Sequence, residues 1–599
     1  MHREDDPSTQ GRKGSAPTDT PTAGLPHPFR RIGSIGLIAA AGLGFGLGLG
    51  GCHNSPLFES DSDYDTRVSL ARLRAIEPLD LSNAAGRTPE QALADSPPGK
   101  NLAELKAKFE PGEPVELSIE EARAAALENN LDLRVALVAP EIAAERVNEE
   151  QGRFEAVLFG NFQSNETDDA VALSTQTAGS RSYFFQPGVR VPLRTGGQFE
   201  VQTTWLRNLN NNPFATLNPA YTTDFEVSIT QQLLRGAGRK SNSFQIRIAD
   251  YDRQISLTQS RLEVIRQLTS SAQAYWRLYA SRAALEVRYQ QYVVALEQLE
   301  RARRRFNAGQ QPEIEVVRAE SGLADRIEAI IQAENNVLLN QRDLKRIMNL
   351  PGLGIDDETP ILTTTVPNPI EYTLDGTQLA DAAMDQRMEL LELELRLAGD
   401  AATIAFRENA ALPSLGVSLT YRANGIGGDL NESLNVIAEN EFEDYVIGLN
   451  GEIPLGNRQR RSSVEQAVLT RLQRIATRDA RRVLIRQEVL DAVTSIETGW
   501  QRILAARQAV LLNSRSLEAE ERQFNVGRST STDVLDADAR LADARLSEIQ
   551  AVVEYEISQV LLAQATGTLL GQSGVEWSPL DPRLEDGAEE SEKVDPGIG

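Results

Sequence analysis

"RRRFNAGQQPEIEVVRAESGLADR" (residues 303–326) and "ERQFNVGRSTSTDVLDADARLADAR" (residues 521–545) are two versions of one turn. Phe306, Asn307 and Gly309 recur as Phe524, Asn525 and Gly527, an offset of 218. Val316, Ala319 and Leu323 recur at the same offset as Val534, Ala537 and Leu541. Each turn lies between charged stretches with helical spacing, and its glycine permits a reversal that a Cβ resists. A long helical hairpin, closed once per repeat, follows from this pattern.

The repeat extends outward from the turn. Upstream of each lie 64 residues, 242–305 and 460–523, with no proline and with Gly499 the only glycine. At about 1.5 Å per residue each is a helix of roughly 95 Å. In the first, Ile246, Ala249, Ile255, Leu262, Ile265, Leu268 and Ala272 recur at intervals that place an apolar seam on one face. Helices this long without caps are coiled-coil-like rather than parts of a compact domain. Downstream, residues 313–348 and 532–565 read as shorter return helices.

Further upstream, "VELSIEEARAAALENNLDLRVAL" from Val115 answers to "YTLDGTQLADAAMDQRMELLELEL" from Tyr372 at an offset of 257, pairing Leu117 with Leu374, Ala126 with Ala383 and Leu133 with Leu390. A first helix is expected over 118–153 in one copy and 375–409 in the other. The two offsets differ by 39, so the first copy carries 39 extra residues between about Phe162 and Gly238.

Between first helix and long helix, apolar and polar residues alternate. "SLGVSLTYR" sets Val417, Leu419 and Tyr421 against Ser418, Thr420 and Arg422, and "DYVIGLNGEIP" sets Tyr445, Ile447, Leu449 and Ile453 against Val446, Gly448, Asn450 and Glu452. The first copy has "DFEVSITQQLL", and the insertion adds "GVRVPL" and "QFEVQTTW" beside the loop "RNLNNNPFATLNP". Period-two alternation of this length is a strand with one apolar and one polar face. Glycine-containing corners, "RGAGRKSN" and "LGNRQRRSS", return the chain to helix. The phosphate-loop likeness of "GAGRKS" fails on spacing.

Composition narrows the function. The chain carries 86 acidic and 61 basic residues, a net charge of −25, which argues against nucleic acid as a partner. Its three histidines, His2, His27 and His53, and its one cysteine, Cys52, all fall near the N-terminus. Histidine-based catalysis and histidine metal ligation are therefore excluded from the body of the chain, no catalytic cluster emerges, and no cofactor or metal is expected.

The N-terminus reads as an address. "FRRIGSIGLIAAAGLGFGLGLGGC" runs from a twin arginine through an apolar, glycine-rich stretch to Cys52. It is similar to a bacterial lipobox, which implies a signal peptide over 1–51 and a mature chain starting at acylated Cys52. The twin arginine leaves the Sec and twin-arginine routes both open. Residues 52–113 read as a linker or wrapping arm, 114–355 as the first repeat, 370–570 as the second, and 574–599 as an acidic tail without structure.

A strand pair with open edges cannot stand alone. If its apolar face meets lipid, the edges must close, because hydrocarbon offers no hydrogen bonds. One chain supplies four strands, or more if the insertion pairs, and a barrel needs about eight. Several chains therefore share one barrel. The expected fold class is mainly α with a membrane β-barrel portion: a duplicated helix–strands–long helix–helix repeat.

Over about 116–570 the two-fold repeat, the "LSIEEARAAALENN" opening, the "IPLGNRQRR" corner and both "RxFNxG"-type tips resemble TolC-like outer-membrane efflux proteins, many of them lipoproteins. The resemblance implies a homotrimer in outer-membrane lipid, a twelve-stranded barrel and an α-helical periplasmic tunnel. It also implies passive transport driven by an inner-membrane pump, through a periplasmic adaptor docking at the tips (Phe306, Gly309, Phe524, Gly527). Asp533 and Asp536 fall where the family places acidic residues narrowing the periplasmic entrance. Three copies would make rings of like charge, although two Asp near a helix start also serve as caps. In the first copy Glu315 and Arg318 occupy these positions, so a duplicated acid ring is not expected. The insertion is either an extra hairpin widening the barrel or a surface loop. The competing reading is a non-conducting coiled-coil lipoprotein scaffold that bridges envelope layers.

Overall fold

The computed structural model describes residues 113–171 and 177–575, together with Gly86. The expected signal peptide, the Cys52 lipid site, nearly all of the arm and nearly all of the acidic tail lie outside the described residues.

The first copy runs β1 (Val115–Leu117), α1 (Ile119–Asn129), α2 (Leu131–Gly152), strands β2 (Val157–Asp168), β3 (Gly179–Pro192), β4 (Gly197–Asn210) and β5 (Ala220–Gln232), then the short α3 (Arg239–Asn242), the 64-residue α4 (Phe244–Asn307) and α5 (Glu313–Met348). The second runs β6 (Ile361–Thr363), α6 (Gly376–Gln386), α7 (Met388–Ala410), β7 (Ser414–Gly427), α8 (Leu430–Glu439), β8 (Glu443–Glu452), the 68-residue α9 (Arg458–Asn525), α10 (Ser531–Thr566) and the short α11 (Leu569–Gln572). Strands β1 and β6 pair in parallel. Among the described residues no helix is long and apolar enough to cross a membrane.

The first helix of each copy, expected to be continuous, is broken at Asn130 and at Arg387, both in extended backbone. These two positions correspond under the repeat, and both anchor to the end of the return helix. The Asn130 side chain accepts from the Leu133 N–H at 2.9 Å and donates to the Ile347 carbonyl at 2.9 Å. The Arg387 guanidinium donates to the Ala565 carbonyl at 2.9 Å. Ile347 and Ala565 also correspond. The break is thus a tertiary device, invisible to helix propensity: a side chain satisfies carbonyls that a helix end leaves unpaired.

The starts of these helices follow the sequence more simply. Ser118 and Glu121 form a reciprocal capping box on α1, and Asp375, its counterpart, accepts from the Thr377 and Gln378 N–H groups on α6. At the strand-to-helix corners Gly238 and Gly456 have the same left-handed φ, 87°.

The core sits between the hairpins. Leu268, Tyr275, Leu278 and Tyr292 of α4 are buried with Ile330, Leu344 and Met348 of α5 and Val553 and Val560 of α10. In contrast, α9 buries only Ile485, Val489, Val493, Ile496, Ile503 and Phe524, and leaves Leu469, Leu472, Val483, Leu511 and Leu512 exposed.

The strands form one sheet in the order β2-β3-β4-β5-β7-β8, antiparallel throughout. The first copy therefore supplies two hairpins and the second one, and the insertion enters the sheet as full-length strands. This departs from a four-stranded protomer.

Candidate functional site

The register lines up two chemically opposite faces. On one, Leu158 and Phe162 of β2 neighbour Val189 and Phe185 of β3. These continue to Val201 and Trp205 of β4, then to Val227 of β5, Tyr421 of β7 and Tyr445 of β8. Phe199, Ile229, Leu419 and Ile447 form a parallel row on the same face. Towards the strand ends distant from the helices this face becomes aromatic. Phe185 and Trp205 pack with ring centres 5.5 Å apart, and the Arg207 guanidinium lies over the rings of both Tyr183 and Tyr221. An apolar band with an aromatic girdle is the outer surface of a membrane barrel.

The opposite face is mainly polar and cross-linked, with Phe159, Phe184, Leu206, Ile426 and Val446 as apolar exceptions. Arg190 Nε donates to Glu200 at 2.8 Å, Gln202 donates to Glu226 at 3.1 Å, and Arg422 Nε donates to Glu226 at 3.0 Å. Asn424 donates to Asp444 at 2.8 Å. The alternation read from Val417–Arg422 and Tyr445–Glu452 is thus realised, and it continues through the inserted strands.

The sheet does not close within one chain. Edge residues are uncovered accordingly: Leu158, Phe162 and Ile447 are 71–78% exposed, whereas Phe185, Trp205 and Phe225 on the interior strands are 37–39% exposed.

Sequence reading missed α8. It lies against the apolar face near the distant strand ends, where Thr223 Oγ1 and Ser433 Oγ are 2.6 Å apart. Gly425 permits this approach, since a Cβ there would stand 2.1 Å from the Ser433 carbonyl. The signal was present: Asp429 as N-cap, and Leu430, Leu434 and Ile437 at helical spacing.

Both predicted tips are the same helix-ending motif. The Gln310 N–H donates to the Arg305 carbonyl and the Gly309 N–H to the Phe306 carbonyl, at 2.8 Å each. Arg528 and Gly527 repeat these bonds to Gln523 and Phe524 at 2.9 and 3.1 Å. Gly309 and Gly527 adopt φ of 69° and 78°, the left-handed state this cap requires. Phe306 is exposed and Phe524 is buried, with the Arg305 guanidinium over its ring at 4.3 Å. The two tips thus share a backbone but differ in what they present.

Asp533 and Asp536 are both exposed near the start of α10. Asp533 completes a capping box with Thr530, accepting its N–H at 2.8 Å and its hydroxyl at 2.6 Å, and these bonds hold its carboxyl below the usual range. Asp536 makes no hydrogen bond or ion pair among the described residues. In the first copy Arg318 pairs with Glu315 at 2.7 Å, so the two corresponding positions neutralise each other.

Sequence reasoning also missed Asp538, buried two residues beyond Asp536 on α10. Burial pushes its carboxyl up to about 6, against the pull of Arg326 and Arg545, and Oδ2 has no hydrogen-bond partner among the described residues.

The chain is similar to known proteins in sequence and in fold. The family model described as outer membrane efflux protein matches residues 379–568, within the second repeat. Outer membrane protein TolC of Vibrio cholerae is 27% identical over 306 residues, covering 50% of this chain and 67% of that protein. Outer membrane efflux protein BepC of Brucella suis is 22% identical over 396 residues, covering 64% and 81%. The crystal structure of the Campylobacter jejuni CmeC outer membrane channel superposes with a TM-score of 0.57 at 16% identity, over 80% of this chain and 90% of that one. In sequence over its second repeat, and in fold over most of its length, the chain is similar to TolC-like outer-membrane efflux proteins.

Proposed function

We propose that the chain is the outer-membrane duct of a tripartite export system: three copies closing a barrel in the membrane, continued by a tunnel of their helices in the periplasm. The observation that carries this reading is the open sheet with one apolar face, one charged face and two unpaired edges. In a bilayer such edges must meet other edges. The exposed leucines of α9 give the helical part the same need for neighbouring copies. Transport through the duct is passive; an inner-membrane pump supplies energy, and a periplasmic adaptor docks at the tips around Phe306, Gly309, Phe524 and Gly527. Cys52 carries the lipid that anchors each copy. Asp536, its carboxylate unpaired, contributes most of the charge at the periplasmic entrance, while Asp533 divides its carboxylate between the entrance and its own cap.

The test is single-channel recording of the detergent-extracted trimer in a planar bilayer. Discrete conductance steps are expected. A folded, membrane-inserted trimer that stays silent both as wild type and as the Asp533→Asn/Asp536→Asn variant would leave the scaffold reading in its place.

A further inference from the structure

The inserted hairpin occupies the middle of the sheet, not its rim. Strands β3 and β4 are 14 residues each, as long as any strand here, and are paired on both sides along most of their length. They carry both faces through most of their length: Phe185, Val189, Phe199, Val201 and Trp205 on the apolar side, Gln186, Arg190, Glu200 and Gln202 on the polar side, where the Phe184–Leu206 pair is an apolar exception.

The turn between them, 193–196, is seated rather than free. The Gly238 N–H and the Gln231 side chain donate to the Thr195 carbonyl at 2.9 and 3.0 Å. Gly196, with φ of 89°, lies so close that a Cβ would stand 2.0 Å from the Gly236 carbonyl. The inserted strands are thus locked to the corner that launches α3 and α4.

An even number of strands also sets the geometry of the edges. Strand β2 runs away from the helices and β8 runs back towards them. The β2 edge of a second copy therefore meets β8 antiparallel, and head-to-tail repetition forms a closed ring.

We propose that β8 of each copy pairs with β2 of the next, so that three copies close an eighteen-stranded barrel. The copy number rests on the trimeric duct proposed above; the six-strand contribution rests on the sheet itself. At a strand spacing of about 4.8 Å and a tilt of about 40°, eighteen strands enclose a barrel about 36 Å across between backbones, against about 24 Å for twelve. The outer-membrane exit is then about half again as wide as in a twelve-stranded duct. Its polar lining bears Glu200, Asp224, Glu226, Asp444 and Glu452 against Arg190 and Arg422, an acidic excess that favours cationic cargo.

The experiment is cryo-electron microscopy of the full-length oligomer in lipid nanodiscs, counting strands and copies in cross-section, with conductance recorded on the same preparation. Three copies and eighteen strands are expected, with β2 beside β8 of the neighbouring copy. A trimer with twelve wall strands and β3–β4 folded off the wall overturns the proposal, as does a twelve-stranded dimer. Conductance from a twelve-stranded trimer leaves the duct standing and removes only its width, whereas absence of any barrel removes both.

Discussion

Asp538 is where a single residue has most to report about the tip. The residue is 6% exposed, its Oδ2 has no hydrogen-bond partner among the described residues, and its carboxyl is raised from 3.8 to about 6 chiefly by burial. The folded chain therefore keeps a proton between pH 3.8 and 6 that the unfolded chain releases. Stability falls as pH rises through this window and levels off above it, by at most about 3 kcal/mol. Asp538→Asn, which keeps the shape without the charge, is expected to flatten this profile and to stabilise the protein at pH 7.5 by roughly 1–3 kcal/mol. Thermal unfolding of both forms at pH 4.5 and 7.5 checks it; a variant with the same pH profile as wild type removes Asp538 from the account. The exposed acids predict a different behaviour. Asp533→Asn/Asp536→Asn is expected to shift the reversal potential in a salt gradient towards neutrality without abolishing cation preference, because the polar face of the sheet keeps its acidic excess. An unchanged reversal potential would remove these two from the entrance. Legibility differs sharply between these residues. Gly309 and Gly527 were readable because a left-handed cap demands glycine whatever surrounds it. The burial of Asp538 was not, since it depends on which residues α5 and the end of α9 bring to its side.

At the scale of elements, the long helices were legible because nothing in 64 residues interrupts them, and Gly499, the lone exception, has a packing reason. A Cβ there would stand 3.1 Å from the Tyr555 ring. The breaks at Asn130 and Arg387 were not legible, because neither residue is a helix breaker by itself; each is fixed by what it reaches. Arg387 is the stronger anchor. Besides the Ala565 carbonyl it holds Glu389 at 2.6 Å and Glu488 at 2.8 Å, and Arg481 contacts the same two carboxylates at 3.1 and 3.3 Å. Removing a buried partner from such a network leaves charge uncompensated. Arg387→Ala is therefore expected to destabilise the second repeat by about 3 kcal/mol, tempered by Arg481. A double-mutant cycle with Glu488→Gln should return a coupling of about 1–3 kcal/mol in denaturant unfolding. A coupling near zero would show that Glu488 adds nothing to the anchor, leaving Arg387 to act through Glu389 and the Ala565 carbonyl.

At the scale of the whole molecule, the sequence disclosed a duplication and the size of its asymmetry, but not where the extra residues would go. Alternation marks a strand without naming its neighbour, and neighbours are set by a register that joins distant stretches of chain. That leaves the consequence of the insertion to be measured directly. Excising residues 172–210 removes 39 residues, including β3 and β4, and joins the far end of β2 to the loop entering β5. Strand β2 and strand β5 run antiparallel, so they can pair across the gap with their apolar faces still aligned. The corner before α4 loses the bonds from Gly238 and Gln231 to Thr195, a net cost of about 1–3 kcal/mol per copy, which a trimer held by the remaining strands and by α9 is expected to survive at a lower melting temperature. Its barrel then has twelve strands. Pore area falls as the square of the width, so open-channel conductance is expected to drop by up to about two-fold, and the largest polyethylene glycol that enters the lumen should shrink. An excised trimer that admits the same polymers as the full chain would place the limiting width in the helical tunnel.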